Sequence, residues 1–145
     1  MSEFMLHLYR DDHHLKRIGA CKDGSLFWID SQFVTEDGAP VDYLCTYRFA
    51  ADGQFTFCKI ERLGPRDEID TAEWEARLAA HIRWLGPHSF GDIRVQPFSI
   101  RHDGHIFGAA IRTEEVAPDD PPLVDLLPGH TLMFFPPWEE GGYDT

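Results

Sequence analysis

The dipeptide Asp-Gly occurs four times in this chain of 145 residues, at 23–24, 37–38, 52–53 and 103–104. Asp-Gly between apolar runs is a strong hairpin signal, because a type I′ turn needs positive φ at both central residues. Tight two-residue turns can join only antiparallel strands, since parallel strands require a long crossover. The sequence therefore predicts a fold built mainly from antiparallel hairpins.

Alternating apolar runs flank most of these turns. Residues 15–21 and 26–34 enclose the first turn, residues 43–49 lead into the third, and residues 106–111 leave the fourth. The second connection is expected to be looser, because Pro40 lengthens it. The first 62 residues thus predict a four-stranded antiparallel meander.

Further strands are expected after the third turn and near the C-terminus. Phe55 and Phe57 are predicted on one face of their strand, with Cys58 and Ile60 on the other. Residues 93–100 indicate an edge or bulged strand, because a proline at 97 cannot donate to a ladder. Residues 131–135 indicate a last strand, and residues 117–122 an acidic, proline-rich loop.

One helix is predicted over residues 70–85. Asp70 suits the N-cap, Glu73 would complete a capping box, and Gly86 followed by proline ends the helix. The apolar residues fall on one stripe at helical spacing: Trp74, Leu78, Ile82 and Leu85. We therefore expect one α+β domain over residues 1–145, with six to seven strands in a mostly antiparallel sheet and the helix packed on one face.

The charge is acidic and unevenly distributed. The chain carries 25 Asp and Glu against 13 Lys and Arg, a net charge of −12, and residues 113–145 contain eight acids and no Lys or Arg. Nucleic acid and anionic membranes are unexpected partners, because both bind through clustered cations. A basic protein is the partner that this charge would suit, although acidic charge also serves solubility alone.

The thiols and the N-terminal residues favour a cytoplasmic protein. Cys21, Cys45 and Cys58 are odd in number and lie in predicted strands, so we expect buried, reduced thiols. The N-terminal residues show no basic segment followed by an apolar run, and no apolar stretch has the length of a bilayer span.

The eight histidines do not indicate a metal site or a cofactor. His13 and His14 are adjacent, so their rings diverge, while His102 and His105 bracket the fourth turn. None of these spacings matches a zinc signature. His81 lies on the apolar side of the predicted helix, where a hydrogen-bonded, partly buried role is expected and a catalytic base is the minority alternative.

The acidic C-terminal third is the candidate partner-binding region. Aromatic residues ringed by charge are typical of binding patches. The alternative is that Trp138 and Tyr143 fold back to cap the sheet. The candidate partner-binding residues are Glu114, Glu115, Asp119, Asp120, Trp138, Glu139, Glu140, Tyr143 and Asp144.

Four segments carry a resemblance to other proteins: Gly-Ala-Cys-Lys-Asp-Gly at 19–24, Phe-Ala-Ala-Asp-Gly at 49–53, Phe-Gly-Asp-Ile-Arg-Val-Gln-Pro-Phe at 90–98, and Pro-Trp-Glu-Glu-Gly-Gly-Tyr-Asp-Thr at 137–145. They resemble a family of small bacterial proteins that commonly end in Pro-Trp-Asp…Tyr-Asp-Thr, some of them labelled formate hydrogenlyase regulatory proteins. This chain has Glu139 where the family usually has Asp. The resemblance implies a cytosolic, regulatory protein and supplies no catalytic residue.

Two functional hypotheses follow from these patterns. The first is a non-enzymatic interaction or regulatory protein, for example an immunity protein against a basic toxin, whose acidic C-terminal surface meets a basic partner. The second is a small-molecule or metal-binding domain, either a binding protein or an enzyme, with a pocket between helix and sheet that uses His81, His102 and His105. A concave pocket with convergent polar groups would favour the second hypothesis.

Overall fold

The computed structural model describes residues 5–112 and 121–145. This part of the chain contains one α-helix, α1 (Thr71–Trp84), and two 3₁₀ helices, Arg66–Glu68 and Trp138–Glu140. Its strands are β1 (Leu6–Leu8), β2 (Ile18–Cys21), β3 (Leu26–Glu36), β4 (Ala39–Phe49), β5 (Phe55–Pro65), β6 (His88–Phe90), β7 (Ile93–Val95), β8 (Ile100–His102), β9 (His105–Ile111), β10 (Val124–Leu127), β11 (Met133–Phe134) and β12 (Tyr143–Asp144). No described helix is long and apolar enough to cross a membrane.

All strand pairs are antiparallel. One five-stranded sheet has the order β5-β4-β3-β2-β6, a second has the order β12-β11-β10-β9-β8, and β1 pairs with β7. The mostly antiparallel α+β class with one helix is confirmed, and so is the meander, as β2-β3-β4-β5. The expected six to seven strands were too few. Residues 93–100 divide into β7 and β8, and four further strands have only two to four residues, too few to show alternation.

The four Asp-Gly turns are of two kinds. Asp37-Gly38 and Asp103-Gly104 are two-residue turns with positive φ at both positions. At 23–24 and 52–53 only the glycine has positive φ, in three-residue turns that each end in a bulge. The expectation that Pro40 loosens the second turn was wrong. Pro40 lies within β4, opposite Thr35 of β3. The pairing of β4 with β5 ends at Val41, so no β5 residue lies beside Pro40 and the hydrogen bond that proline cannot donate is not required there.

The β3–β4 sheet separates two cores. On one face, α1 contributes Leu78 and Leu85 to a cluster with Phe27, Ile29 and Leu44. The second sheet covers the other face, and this larger cluster forms the inner core. There the Trp28 ring lies 6.0 Å from that of Phe134, and the rings of Tyr43 and Phe107 are 5.2 Å apart. The helix therefore packs on one face of the first sheet, as expected. Helix, first sheet and second sheet form three layers.

The helix begins as its sequence predicts. The Asp70 carboxylate accepts a hydrogen bond from the Glu73 amide at 2.7 Å, which is an N-cap bond. The Glu73 carboxylate accepts instead from Arg77, so the observed bonds include only the first half of a capping box. Gly86, with φ of 71°, follows the C-cap Leu85, where a left-handed residue is favoured.

A bulge changes the predicted faces of β5. Arg48 pairs with Phe57 and Phe49 pairs with Phe55, so Thr56 is an extra residue in β5. Phe55 therefore joins Cys58 and Ile60 on the inner core, whereas Phe57 is exposed beside α1. The expected division, with Phe55 and Phe57 together, was wrong for this reason.

The three thiols are unpaired. Cys21 and Cys45 are buried, whereas Cys58 is half-buried. Burial is the largest influence on Cys45 and Cys58 and raises the pKa of both thiols. The expectation of free thiols is confirmed, and the expectation of burial is confirmed for Cys21 and Cys45.

Candidate functional site

A cavity of about 360 Å³ lies beside the loop that precedes β2. Small-molecule sites in proteins usually have about 300–1,000 Å³, so the volume is sufficient for a small ligand. The lining comes from that loop, from β3 and from the residues before β11: His13, His14, Lys16, Arg17, Ile29, Asp30, Ser31, Thr131 and Leu132. We call this space the Asp30 cavity.

Asp30 is held by a partly buried hydrogen-bond network. The Gln32 side-chain amide donates to the Asp30 carboxylate at 2.7 Å and to the Thr131 hydroxyl oxygen at 2.8 Å. Its carbonyl oxygen accepts from the Gly129 amide at 2.8 Å. Gln32 is only 1% exposed, so these bonds fix its orientation. The network ties β3 to the connection between β10 and β11, which forms one wall of the cavity.

The environment of Asp30 makes its carboxyl group weakly acidic. Burial is the largest influence and raises the pKa of Asp30 to about 7, against smaller lowering effects from bonds with Gln32 and the Ser31 backbone. At neutral pH the group is therefore divided between its protonated and ionised forms. A protonated carboxyl at the cavity wall can donate a hydrogen bond to an anionic ligand, which an ordinary aspartate cannot do.

The loop that carries the basic side chains is organised by Asp11. One oxygen of its carboxylate accepts hydrogen bonds from the backbone amides of His13, His14 and Leu15 at 2.9–3.0 Å. The other oxygen accepts from the Tyr143 hydroxyl. Burial raises the pKa of Asp11, but these bonds outweigh it and lower that pKa to about 2. Asp11 is thus a stable anion that shapes the loop.

Lys16 and Arg17 bring two positive charges to the lining of the cavity. Neither side chain forms an ion pair with any described carboxylate. In a chain of net charge −12, two cations without an ion pair to a described residue and two imidazoles thus line one cavity. All four belong to one stretch of five residues, 13–17. Asp11 and Asp12 of the same loop balance these two charges, so the two cations are distinguished by their position in the lining of the cavity and not by an excess of local positive charge.

His81 is fully buried under α1, as expected of a hydrogen-bonded histidine. Its Nδ1 lies 2.8 Å from the Thr46 hydroxyl and its Nε2 lies 3.1 Å from the Glu61 carboxylate. Burial is the main influence and lowers the pKa of His81, with Glu61 opposing it. A neutral His81 ring that donates to Glu61 and accepts from Thr46 gives each of these three side chains a hydrogen-bond partner. Thr46 and His81 are both 0% exposed, so these bonds join the helix to the sheet and the imidazole itself is closed to solvent.

His102 and His105 pair with each other across the fourth turn. The His102 ring packs against Tyr43 and Phe107, which belong to the inner core, whereas His81 lies on the helix side of the same sheet. The structure therefore does not bring these three histidines together in one pocket. Within residues 5–112 and 121–145, no group of three or more His, Cys, Asp or Glu is placed to hold a metal ion.

The C-terminal tail is fixed to the N-terminal part of the chain. The Tyr9 hydroxyl donates to the Glu139 carbonyl oxygen at 2.5 Å, and β12 pairs with β11. A Cβ at Gly141 would collide with the Tyr9 ring, and φ at this position is 65°, so a glycine is required here. Trp138 packs partly buried against the inner core.

The candidate partner-binding residues divide into three groups. Glu114, Glu115, Asp119 and Asp120 lie outside the described residues. Trp138 and Tyr143 are half-buried. Glu139, Glu140 and Asp144 are exposed and form no ion pair with a described residue.

The Asp30 cavity was not expected from the sequence, although one signal of it is present there. Asp30 and Gln32 lie on the same face of β3 as Trp28 and Val34, so two polar residues occupy inner-core positions. Polar residues at core positions are a typical mark of functional sites. Their link to Thr131, 99 residues away from Gln32, has no local pattern.

No protein-family model, no curated protein and no solved structure matches the chain.

Proposed function

We propose that the protein binds a small anionic molecule in the Asp30 cavity and acts as a non-enzymatic, ligand-binding regulatory protein. The observation that supports this function is the convergence of His13, His14, Lys16 and Arg17 on a cavity whose wall carries a weakly acidic carboxyl group. Pockets with a few convergent polar groups and a perturbed pKa are typical ligand sites.

The chemistry of the lining favours a carboxylate or phosphate group on the ligand. Lys16 and Arg17 form no ion pair with a described carboxylate, so an anion would supply charge-assisted hydrogen bonds to them. The hydroxyl groups of Ser31 and Thr131 can donate as well. Asp30 joins these donors when it is protonated. The resemblance of the tail to proteins labelled regulatory favours a signalling role for such binding.

Calorimetric titration with inorganic phosphate, citrate and glycerol phosphate tests this function, with glucose as the neutral control. We expect at least one anion to bind and glucose not to bind. Lys16→Gln and Arg17→Gln should each weaken binding about tenfold or more, since each removes a charge-assisted bond. Arg101→Gln, an exposed arginine outside the cavity, is the matched control and should bind normally. Equal affinity in all three variants would overturn the proposal.

Affinity should also fall as pH rises through about 7, because Asp30 then loses the proton that it donates. Cys45 and Tyr47 also interact electrostatically with Asp30, but burial raises both of their pKa values, so they stay neutral in this range. Asp30→Asn should remove the part of the pH dependence that this proton causes.

The second candidate function is the docking of a basic protein on the acidic tail. The observation that favours it is the rigid attachment of the tail, which holds three exposed carboxylates beside the exposed rings of Tyr9 and Phe135. Pre-ordered residues bind with a smaller entropy cost than mobile ones. Because Trp138 and Tyr143 are half-buried, the carboxylates rather than these rings would make the contact.

A further inference from the structure

Arg48 is a buried cation whose guanidinium touches no described carboxylate, although the charge of Asp23 lies close enough to interact with it. The residue lies on the helix side of β4 and is 9% exposed, and it forms no ion pair with a described residue. Its Nη2 donates to the Ser25 hydroxyl at 2.9 Å, whereas its buried Nε has no hydrogen-bond partner. Buried charges are normally paired, because desolvation without a partner is costly. An unsatisfied guanidinium donor is therefore an observation that needs a cause.

Two exposed aromatic rings lie against this guanidinium. Its Cζ is 5.3 Å from the centre of the Phe57 ring and 5.7 Å from that of Trp84. The two rings meet edge to face at 5.6 Å, and the Lys59 ammonium lies 5.9 Å from Trp84. Phe57 is 48% exposed and Trp84 37%. We call Arg48, Phe57, Lys59 and Trp84 the Arg48 patch.

A second cavity, of about 300 Å³, adjoins the patch. Arg48 lines it together with Lys22, Asp23 and apolar residues near the end of α1. The Asp23 carboxylate is already engaged by Ser25, through its hydroxyl at 2.6 Å and its amide at 3.0 Å. Two cations, Arg48 and Lys22, thus border this cavity together with the Asp23 carboxylate, which already accepts hydrogen bonds from Ser25. The Nε that has no hydrogen-bond partner belongs to Arg48.

We propose that the Arg48 patch docks an acidic segment of a partner protein. A carboxylate of that segment enters the cavity and pairs with Arg48, and a neighbouring apolar side chain covers Phe57 and Trp84. The charges support an acidic segment, since Arg48, Lys59 and Lys22 are all cationic. The rings support a protein rather than a free anion, because Trp and Arg at the centre of a patch are the usual anchors of protein interfaces and a small anion would leave both rings in water.

This surface is separate from the Asp30 cavity and does not depend on the function proposed for that cavity. The Arg48 patch lies on the helix side of the β3–β4 sheet, and none of its residues lines the Asp30 cavity. Binding at one site can therefore be present or absent without the other.

The test uses nuclear magnetic resonance of the full chain, with the Arg48 side-chain Nε–H and the Trp84 indole N–H as reporters. The probes are acetyl-Glu-Leu-Glu-Phe-Glu-amide, its counterpart with Gln in place of each Glu, and inorganic phosphate. We expect the acidic peptide to shift both signals and the neutral peptide to bind at least about tenfold more weakly. If phosphate shifts the signals with an affinity equal to that of the peptide, the site takes small anions and the docking proposal is overturned.

Variants identify the residues responsible. Arg48→Gln and Trp84→Ala should each weaken binding of the acidic peptide about tenfold or more, as loss of an anchor does. Ile106→Ala is the matched control, because Ile106 is 36% exposed and lies in β9 of the second sheet. If Arg48→Gln fails to fold, Trp84→Ala decides the question alone, since its ring is exposed. Equal binding by Trp84→Ala and Ile106→Ala would overturn the proposal.

Discussion

The Tyr143 hydroxyl donates a hydrogen bond to the Asp11 carboxylate, across 132 residues of sequence. The other oxygen of Asp11 holds the backbone of the loop that lines the Asp30 cavity. The bond therefore attaches the C-terminal tail to that loop, and the His14 ring, 6.0 Å from that of Tyr143, adds an edge-to-face contact.

Tyr143→Phe should reduce the free energy of unfolding by about 1–2 kcal/mol near neutral pH, because it removes a hydrogen bond to a charged group. The pKa of Asp11 is lowered to about 2 in the folded protein, so its contribution is present above the unfolded value near 4 and is lost as pH falls toward 2. Urea unfolding at several pH values should show the difference from wild type shrinking in this window. Tyr9→Phe, which removes a bond to a carbonyl, should show no such change.

Asp30→Asn should stabilise the protein in alkaline solution. The folded pKa of Asp30 is raised to about 7, so between about pH 4 and 7 the native state holds a proton that the unfolded state has lost. Wild-type stability therefore falls as pH rises through this window, by about 4 kcal/mol at most, and the asparagine variant avoids the loss. Thermal melts at about pH 5 and about pH 8 measure this. Parallel melting curves at both values would contradict the buried-acid interpretation.

Leu78→Ala should cost about 2–5 kcal/mol, the usual range for a buried leucine. Leu78 lies in the core between α1 and the sheet. Denaturant unfolding measures the loss, and Glu75→Ala on the exposed side of the same helix should change stability by less than about 0.5 kcal/mol. If Leu78→Ala also costs less than about 0.5 kcal/mol, the apolar stripe of α1 does not form this core.

The thiols should react in an order set by burial. Cys58 is half-buried and should be labelled first, whereas Cys45 is fully buried and its pKa is raised strongly. Because the thiolate is the reactive form, Cys45 should react only after unfolding. Mass spectrometry after timed alkylation resolves the three sites. Labelling of Cys45 as fast as Cys58 in the native protein would refute this order.

Neutralising Glu139, Glu140 and Asp144 together, as Gln, Gln and Asn, should slow association with a basic peptide and leave the melting temperature unchanged. The effect should weaken with salt, since the Debye length falls from about 10 Å at 0.1 M to about 3 Å at 1 M. Surface plasmon resonance with an immobilised lysine-rich peptide measures the rates. The matched control neutralises Asp67, Glu68 and Glu75, which are also exposed. Equal slowing in both variants would show that only net charge matters.

The sequence by itself determined the local structure of this protein. The Asp-Gly turns and the Asp70 cap follow from φ preferences and from bonds within a few residues, so they can be predicted without a partner strand. The amphipathic stripe of α1 follows from helical periodicity in the same way.

Only the tertiary structure decided where the functional groups meet. Asp30 lines a cavity together with a loop that lies earlier in the chain. Its hydrogen-bond partner Gln32 also bonds to Thr131, which is 99 residues after Gln32. The orphan donor of Arg48 depends on where α1 places Trp84, and the bulge at Thr56 decides that Phe57 is exposed beside it. Such contacts depend on the three-dimensional packing of distant segments, because no spacing along the chain encodes the distance between them.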